Sequence, residues 1–398
     1  MSACLTPARR PDARAHSVRA SKRDRDARPG GPSTLPGMAD PIPFTRGVPS
    51  ADMLPVDDMR AALATAMERE PVVALSYSPG GHKGLRAWIG ARHGAPSERV
   101  VCANGSLEAF AFVAGVLLAR AATTRVLVEA PTYDRSILIL RRAGADVVGI
   151  PVDGDGIDTD ALATALERGP AAFLYVIPNF QNPSGATMSL ERRMRVLELA
   201  RQHGTVVVED DPYGLLRWAG VTLPQLGELD PEAVVTLSSF TKTVAPGLRI
   251  GYAVAPAELA TAIGSYAENT YISPCMVSQA GLAAYCEAGS FEPGVERAKN
   301  ELKARCDAMV EAVRAHFPAD VKMVVPQGGY FLWLDLGPGA DTAALAALAA
   351  EAGVPFVKGA DFYADGGGTT SLRLAFSAVP ADRIREGIAR LGAVIAAG

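Results

Sequence analysis

Short apolar, β-branched runs alternate with helical stretches along most of the chain from Pro41 onward, and this rhythm limits the folds that the chain can adopt. Strands that alternate with helices are typical of βαβ units, in which each helix crosses back over a sheet of parallel strands. The sequence therefore predicts an α/β protein with a doubly wound, mostly parallel sheet. The predicted strands are 100–102, 126–130, 146–150, 173–177, 206–209, 234–238 and 250–254, and the clearest predicted helices are 106–121, 157–167 and 190–203.

The rhythm changes after about residue 285, which indicates a second, smaller α+β domain. We predict a large domain over residues 73–285 and a small domain over 286–398, with residues 41–72 forming an N-terminal arm and part of the small domain. Within the small domain we expect helices over 291–316 and 342–352, strands near 321–325, 330–336 and 371–376, and a closing helix.

The first 37 residues have a different composition from the rest of the chain. They combine many arginines with Pro, Ser, Ala and Gly and contain almost no large apolar side chains. Such a segment cannot bury enough surface to offset the entropy lost on ordering, so a disordered extension is predicted over residues 1–40. Two alternatives stay open: an organelle transit peptide, which Asp12, Asp24 and Asp26 disfavour, and a translation start at Met38.

Composition excludes several classes of protein. A formal net charge of −4 gives no general attraction to nucleic acid. No apolar run reaches the roughly 18 to 20 residues that a membrane-spanning helix needs. The five cysteines are widely spaced and form no Cys-x-x-Cys pair, which suits a reducing compartment and gives no sign of a metal site. We therefore expect a cytoplasmic protein without nucleic-acid or membrane partners.

One stretch of the chain and a segment upstream of it bring together several groups with compatible chemistry. Lys242 ends a Ser-Ser-Phe-Thr-Lys sequence after a predicted strand, Arg249 follows in Pro-Gly-Leu-Arg-Ile-Gly, and Asp210 and Tyr213 lie upstream in Glu-Asp-Asp-Pro-Tyr. An amine near a bound cation loses its proton more readily than a free lysine, whose pKa is about 10.4, and can form a Schiff base with an aldehyde. A guanidinium binds phosphate, and an acid with a phenol can hold a pyridine ring. The combination indicates pyridoxal 5′-phosphate.

A phosphate needs hydrogen-bond donors, and residues 104–107 lie where a predicted strand turns into a helix. The free N–H groups and the dipole of a helix N-terminus attract an anion there. We therefore expect Gly105, Ser106 and Leu107 to bind the phosphate, with Ser239 and Arg249 completing the site. Taken alone, Ser106 is equally well explained as an ordinary helix cap.

These separated motifs, in this order, resemble fold-type I pyridoxal-phosphate enzymes, and among them the class I and II aminotransferases, especially the branch with 2-aminoadipate and aromatic aminotransferases. The resemblance extends from Pro41 to the C-terminus. It implies that Lys242 carries the cofactor as a Schiff base and moves the substrate proton, and that Asp210 pairs with the ring nitrogen. The family spacing Asp-x-x-Tyr selects Asp210 with Tyr213, which leaves Asp211 as a solvated or structural residue.

The same resemblance implies roles for further cofactor-binding residues. Asn182 lies in Pro-Asn-Phe-Gln-Asn-Pro-Ser-Gly over residues 178–185, similar to the family's P-x-x-Q-N-P-[ST]-G, and with Tyr213 it is expected to hydrogen-bond the phenolic oxygen of the ring. Tyr133 is expected to stack on the ring face, although a partly buried core tyrosine is the alternative. Tyr77 resembles the tyrosine that reaches the phosphate of a neighbouring subunit, which implies a homodimer.

Substrate residues are implied in the same way. Arg373, in Ser-Leu-Arg-Leu-Ala-Phe-Ser, matches the arginine that clamps the substrate α-carboxylate, with an ion-paired structural arginine as the alternative. Gly47 resembles the N-terminal glycine whose backbone lies beside the substrate, and Asn182 is expected there as well. Arg46 is a candidate for meeting a distal acidic group.

The function implied is transfer of an amino group between an L-amino acid and a 2-oxo acid, with 2-oxoglutarate as the expected acceptor, in a ping-pong cycle. Residues 291–302 and 270–275 depart from the family pattern, which favours an unusual substrate. One alternative keeps the cofactor and changes the reaction to β- or γ-elimination, replacement or C–C bond formation by a synthase or lyase, because one pocket serves both. The other is the ligand-sensing domain of a transcription regulator, disfavoured because the first 40 residues contain no helix-turn-helix pattern.

Overall fold

The computed structural model describes residues 40–397. The predicted disorder of residues 1–40 therefore falls almost entirely outside the described residues. The chain divides at residue 40, and the fold below is that of the unit that begins at Pro41. Within the part of the chain that is described, no helix is long and apolar enough to cross a membrane.

The larger sheet has eight strands and confirms the predicted doubly wound architecture. Its strands lie in the order β1-β8-β7-β6-β5-β2-β3-β4. The central strands β7, β6, β5, β2 and β3 are parallel, while β8 is antiparallel to both β7 and β1, and β4 is antiparallel to β3. The strands are β1 (Val100–Ala103), β2 (Arg125–Ala130), β3 (Asp146–Asp153), β4 (Gly156–Ile157), β5 (Phe173–Val176), β6 (Val206–Asp210), β7 (Val234–Ser239) and β8 (Gly251–Val254).

Helices cover both faces of this sheet, and this explains why its central strands carry consecutive apolar residues rather than an alternating pattern. In β2, Val126 and Val128 belong to a core with Phe110, whereas Leu127 between them belongs to a separate core with Leu162 on the other face. The helices are α1 (Val56–Arg69), α2 (Pro71–Leu75), α3 (Lys83–Arg92), α4 (Ser106–Arg120), α5 (Asp134–Arg142), α6 (Thr159–Glu167), α7 (Leu190–His203), α8 (Leu226–Leu229), α9 (Ala257–Tyr271), α10 (Met276–Glu287), α11 (Phe291–His316), α12 (Thr342–Glu351) and α13 (Ala381–Ala397).

Local chemistry sets where several of these helices begin and end. Ser189 caps α7 by accepting a hydrogen bond from a backbone N–H of its first turn, and Gly204 ends the same helix in the left-handed conformation. Asp158 caps α6 in the same way. That helix begins later than the predicted residue 157, because Gly156 and Ile157 pair with β3 as a short strand. Single 3-10 turns lie at Ala51–Met53, Ser97–Arg99, Gly214–Leu216, Pro246–Leu248 and Gly359–Phe362.

A second, antiparallel sheet of four strands lies in the C-terminal part of the chain, in the order β11-β12-β10-β9. Its strands are β9 (Lys322–Met323), β10 (Phe331–Asp335), β11 (Val357–Lys358) and β12 (Ser371–Ala375). The segment after Pro41 joins this region, since the N–H groups of Ile42 and Phe44 donate to backbone carbonyls of Gly353 and Pro355. The N–H of Ala375 in turn donates to the Phe44 carbonyl. The start of the unit is thereby held beside β12, while the exact domain boundaries stay a prediction.

Candidate active site

A cavity of about 520 Å³ lies beyond the carboxyl ends of the central strands. This is where ligands bind in open α/β sheets, and the volume is in the ordinary range for a cofactor site. Every residue that the sequence assigned to cofactor or substrate lines this cavity except Tyr77: Gly47, Gly105, Ser106, Leu107, Tyr133, Asn182, Asp210, Tyr213, Ser239, Lys242, Arg249 and Arg373.

Lys242 lies three residues beyond the end of β7 and extends its amine into the cavity. Its Nζ donates a hydrogen bond of 2.5 Å to the carbonyl oxygen of Gly47, and its own carbonyl accepts one of 2.7 Å from the Tyr330 hydroxyl. Burial lowers the pKa of Lys242 to about 8, with the cations of Arg373 and Arg249 acting in the same direction. About a tenth of this amine is therefore neutral at pH 7, far more than for a free lysine, and a nucleophile or base requires the neutral form.

Asp210 is the last residue of β6, and its two carboxylate oxygens have different surroundings. Oδ2 accepts a hydrogen bond of 2.7 Å from the hydroxyl of Tyr175, which accepts one of 3.0 Å from Ser136. Oδ1 is buried, and no group in residues 40–397 donates to it. Burial raises the pKa of Asp210 to about 6, against the lowering effect of Tyr175. A buried carboxylate oxygen without a donor, facing a cavity, fits the protonated nitrogen of a pyridine ring.

Asp211, the next residue, has a different environment. It is buried, and all its donors come from the protein: Gly214 N to Oδ1 at 2.8 Å, and Asn179 Nδ2 and Gln225 Nε2 to Oδ2 at 2.9 and 2.7 Å. Successive side chains of a strand point to opposite faces, so Asp211 turns away from the cavity that Asp210 lines. Of the two expectations for Asp211, the structural role is confirmed and the solvated one is wrong.

Tyr213, Asn182 and Tyr133 surround the same end of the cavity. Tyr213 is buried, and burial raises its pKa well above the ordinary value, so the phenol keeps its proton and can donate it to an oxygen. Asn182 Oδ1 accepts a 2.8 Å hydrogen bond from Arg373 Nη1. Tyr133 lies half-buried immediately before α5. It packs against the core and also lines the cavity, so its stacking on the cofactor ring stays a prediction.

The loop that carries Asn182 is held by two residues that the sequence analysis did not assign to the site. Gln181 Nε2 donates to Glu129 Oε2 at 3.0 Å and to the Pro131 carbonyl at 2.6 Å. Glu129 Oε2 also accepts from the N–H of Ile177 at 3.0 Å, and burial raises the pKa of Glu129 to about 8. These bonds tie the end of β2 to the loop after β5.

The anion end of the cavity forms where β1 leads into α4. Gly105 has φ +107°, a conformation that favours glycine, and a Cβ on it would lie 2.6 Å from Arg249 Nη2 and displace the guanidinium. Arg249 Nη2 donates to the Asn104 carbonyl at 3.0 Å, which holds the guanidinium over the start of α4. A guanidinium above the first turn of a helix, with Ser106 and Ser239 beside it, has the donor set and charge that fit a phosphate.

Arg373 reaches the opposite side of the cavity from β12. Its Nη2 donates to the Thr45 carbonyl at 2.8 Å, and its Nε is buried without an acceptor among residues 40–397. The guanidinium carbon lies 4.1 Å from the ring centre of Phe331 and 4.8 Å from that of Phe362, so two aromatic rings flank it. No ion pair joins Arg373 to a described carboxylate. The geometry favours the expected carboxylate-binding role over a structural ion pair.

Gly47 and Arg46 belong to the same side. A Cβ on Gly47 would lie 2.3 Å from Cζ of Phe331, so only glycine allows the backbone to approach this ring. Arg46 is exposed and lines the cavity, together with Arg135. Arg46, the candidate for binding a distal acidic group of the substrate, thus lies at the cavity and is separate from Arg373, the candidate for the α-carboxylate.

Tyr77 is the one predicted residue that the fold does not bring to the cavity of its own chain. Its exposed fraction is 79%, and Val72, Leu75 and Ile272 are also exposed. The prediction that it reaches a neighbouring subunit is not tested by a single chain.

Besides Gln181 and Glu129, sequence reasoning missed Ser136 and Tyr175, which lie behind Asp210, and Phe331 and Phe362, which line the cavity. One signal was available for Tyr175, since its hydroxyl lies within an otherwise apolar strand, Phe-Leu-Tyr-Val, and a buried hydroxyl needs a partner. Ser136, Phe331 and Phe362 are placed by packing between distant segments, which a local pattern does not reveal.

Comparison with known proteins agrees with this geometry. The family model for aminotransferase class I and II matches residues 40–391. A 2-aminoadipate transaminase of Thermus thermophilus is 35% identical over 356 residues, which cover 88% of this chain and 89% of that protein. An aromatic-amino-acid aminotransferase of Thermococcus litoralis is 32% identical over 372 residues, 90% of this chain and 88% of that protein.

Solved structures give the same result. The crystal structure of an α-aminoadipate aminotransferase from Thermus thermophilus, complexed with N-(5′-phosphopyridoxyl)-L-leucine, superposes with a TM-score of 0.86. It is 34% identical in sequence, and the match covers 90% of this chain and 92% of that one.

Proposed function

Because the chain belongs to the class I and II aminotransferase family, and is a pyridoxal-phosphate-dependent transaminase of fold type I, we propose that Lys242, Asp210 and Tyr213 act on the cofactor and that Arg373 binds the α-carboxylate of an L-amino acid. One observation carries this assignment. The Lys242 amine, the donor-free oxygen of Asp210 and the acceptor-free Nε of Arg373 belong to residues that line a single cavity.

When bound, pyridoxal phosphate supplies an aldehyde that joins an amine and a ring that withdraws electrons from the α-carbon of the substrate. Lys242 Nζ, with its pKa near 8, can accept the α-proton in its neutral form and return it on the same side of the cavity. The ionised Asp210 would hold a negative charge beside the ring nitrogen of the cofactor. This charge would favour the protonated form of that nitrogen. Tyr213 and Asn182 offer a phenol and an amide to a neighbouring oxygen.

Arg373 orients the substrate in this proposal. A planar fork that binds two carboxylate oxygens leaves the amino acid little freedom to rotate, so it selects which bond at the α-carbon faces Lys242. The rings of Phe331 and Phe362, 4.1 and 4.8 Å from the guanidinium carbon, and the hydrogen bonds to Asn182 and Thr45 restrict its movement. The Gly47 carbonyl, 2.5 Å from Lys242 Nζ, orients the amine from the same side.

For substrates we propose an L-amino acid donor and a 2-oxo acid acceptor, with 2-oxoglutarate as the acceptor, in a ping-pong cycle within one cavity. The printed names of the relatives, one for 2-aminoadipate and one for aromatic amino acids, support a broad donor range. Arg46 and Arg135 bring positive charge to the cavity lining, and Tyr133 and Phe362 bring aromatic surface. Such a lining suits both the acidic side chain of 2-aminoadipate and the side chains of aromatic amino acids.

We also propose a homodimer in which Tyr77 reaches the phosphate site of the partner chain. The apolar side chains of Val72 and Leu75, exposed by 74% and 68%, support the proposal because a second chain would bury them. A cytoplasmic location is proposed from the free thiols of Cys102, Cys275, Cys286 and Cys306.

The test is a titration of the cofactor-loaded protein with a panel of L-amino acids, followed by visible absorbance and by assay of released 2-oxo acid. A true donor should bleach the absorbance of the covalently bound cofactor and release its 2-oxo acid, and 2-oxoglutarate should restore the absorbance. Turnover that proceeds without any amino acceptor would instead support a synthase or lyase.

A further inference from the structure

A chain of two buried hydroxyl groups ends on the carboxylate oxygen of Asp210 that does not face the proposed ring nitrogen. Ser136 Oγ lies 3.0 Å from the Tyr175 hydroxyl, which lies 2.7 Å from Asp210 Oδ2. Ser136 and Tyr175 are 1% and 0% exposed. We propose that Tyr175 and Ser136 are positioning residues that hold Asp210 ionised and turned so that Oδ1 meets the nitrogen of the cofactor ring.

The direction of these hydrogen bonds follows from the chemistry of the groups. An ionised carboxylate only accepts, so the single proton of the Tyr175 hydroxyl must point to Asp210. The Tyr175 oxygen then accepts, and Ser136 is the donor. Burial, with the nearby charge of Asp210, raises the pKa of Tyr175 well above the ordinary value, so the phenol remains a donor at working pH.

The fold fixes the chain at each step. β5 and β6 are parallel neighbours in which Tyr175 lies opposite Val208, and Asp210 follows two residues later on the same face. The ring of Phe110 from α4 packs against the Tyr175 ring with centres 4.8 Å apart, which restricts where the hydroxyl can point. Ser136 comes from the first turn of α5. Residues from β5, α4 and α5 thus together set the plane of the Asp210 carboxylate.

The charge balance around Asp210 explains why a donor is needed. Burial and Asp211 raise its pKa, whereas the Tyr175 hydroxyl and the Lys242 amine lower it. Glu129 on β2 and Tyr133 before α5 also interact electrostatically with Asp210, as does Tyr213. Among residues 40–397, Tyr175 is the only side-chain hydrogen-bond donor to Asp210, so its loss lets burial raise the pKa of Asp210 further.

The inference rests on the proposed role of Asp210, and a comparison of two cofactors can separate the two claims. The second cofactor is the carbocyclic analogue of pyridoxal phosphate, in which a C–H group replaces the ring nitrogen. It keeps the aldehyde, the phosphate and the phenolic oxygen, but it has no nitrogen for Asp210 to meet. The measured quantities are the dissociation constants of both compounds from cofactor-free protein and the ¹⁵N resonance of labelled pyridoxal phosphate in the complex.

Tyr175→Phe should weaken binding of pyridoxal phosphate by about tenfold or more, as expected for a hydrogen bond to a charged group, and that of the analogue by less than about twofold. The ¹⁵N resonance should move toward its unprotonated position. Ser136→Ala should act in the same direction by about two- to threefold. Tyr285→Phe is the matched control, because it also removes a buried tyrosine hydroxyl, one without a partner among residues 40–397, and it should change neither constant.

The inference is overturned if Tyr175→Phe weakens the binding of both compounds equally, because the hydroxyl would then act only through packing. It is also overturned if Tyr175→Phe weakens the binding of neither compound. Asp210→Asn distinguishes the underlying claim. If it too fails to discriminate between the compounds, the proposed role of Asp210 is wrong; if it discriminates and Tyr175→Phe does not, only the hydroxyl chain is wrong. Should Tyr175→Phe fail to fold, Ser136→Ala decides by the same criterion.

Discussion

The two sides of the cavity are built differently. The side that we assign to the cofactor consists of residues at or just beyond the ends of neighbouring strands of one sheet, such as Asp210 at the end of β6 and Lys242 beyond β7. The substrate side is assembled from the arm at Thr45–Gly47, from Phe331 on β10 and from Arg373 on β12. Arg373 and Thr45, which are hydrogen-bonded, are 328 residues apart in the chain.

This difference has a physical consequence. Sheet hydrogen bonds fix the distances on the cofactor side, so a local change there acts on chemistry. Packing between separate segments fixes the distances on the substrate side, so a change there acts on binding and orientation. Lys242 connects the two sides, because it follows β7 on the cofactor side and hydrogen-bonds the Gly47 carbonyl on the substrate side.

Removing the Lys242 side chain, which contacts both sides, should have the largest effect on turnover. We expect Lys242→Ala to lower turnover by about 10⁴-fold or more, because it removes both the nucleophile and the base. The visible absorbance of covalently bound cofactor should be lost as well. Steady-state kinetics and an absorbance spectrum check this, with thermal unfolding as the control for an intact fold. Turnover within tenfold of the unmodified protein would contradict the assignment.

Changing the substrate side alone should separate the two sides. Arg373→Lys keeps the positive charge but loses the planar fork, and we expect kcat/KM for the amino acid to fall by about 10²-fold. The dissociation constant of pyridoxal phosphate should stay within about twofold, because Lys242, Asp210 and Arg249 are unchanged and the introduced lysine can still donate to Asn182 Oδ1. An equal loss of cofactor affinity would show that the two sides are not separable.

The pH dependence of cofactor attachment measures how strongly the sides are coupled. Attachment needs the neutral amine, so its rate should rise with pH and level off with a midpoint near 8, the pKa to which burial lowers Lys242. Arg373 is the next cause of that lowering, so Arg373→Gln should move the midpoint upward, by about half a unit to one unit. Arg373→Lys, which keeps the charge, should leave it in place. Stopped-flow absorbance at several pH values gives the midpoint, and a midpoint near 10 in the unmodified protein would contradict the buried amine.

The smallest expected effect on turnover acts through protein stability. It concerns Glu129, which accepts a hydrogen bond from the loop that carries Asn182. Its pKa is raised by burial from 4.5 to about 8 in the folded protein, so the folded state holds this proton more tightly than the unfolded state does. Stability from the protonated carboxyl is therefore present below pH 4.5 and is lost as pH rises toward 8.

Glu129→Gln keeps an acceptor for Ile177 and Gln181 and removes the ionisation. Relative to the unmodified protein, the variant should gain stability between pH 5 and 8, by about 3 to 4 kcal/mol. Urea unfolding at both pH values measures the difference. Glu258→Gln, at an exposed site, is the control and should show no such trend. A stability difference that does not change with pH would refute the buried proton.

Much of the fold was predictable, because strands and helices have distinct hydrophobic periods. The helices Leu190–His203 and Phe291–His316 have the predicted bounds, and α4 begins at Ser106 as expected. The reversed direction of β8, which is antiparallel to both of its neighbours β7 and β1, was not predicted, since a buried strand has the same residue pattern whichever way it runs. The two-residue strands β4 and β11 were not predicted either. Most other differences are of one or a few residues at element ends, where local capping decides.

The cofactor side was predictable for a related reason. Its residues lie in short motifs at strand ends, and parallel strands bring their carboxyl ends to one edge, so the amino-acid sequence was sufficient to name Lys242, Asp210 and Arg249. Only the folded chain shows which oxygen of Asp210 is donor-free, that Tyr175 and Ser136 support the other, and that two aromatic rings flank Arg373. These are contacts between segments far apart in the chain, and they depend on packing rather than on any local pattern.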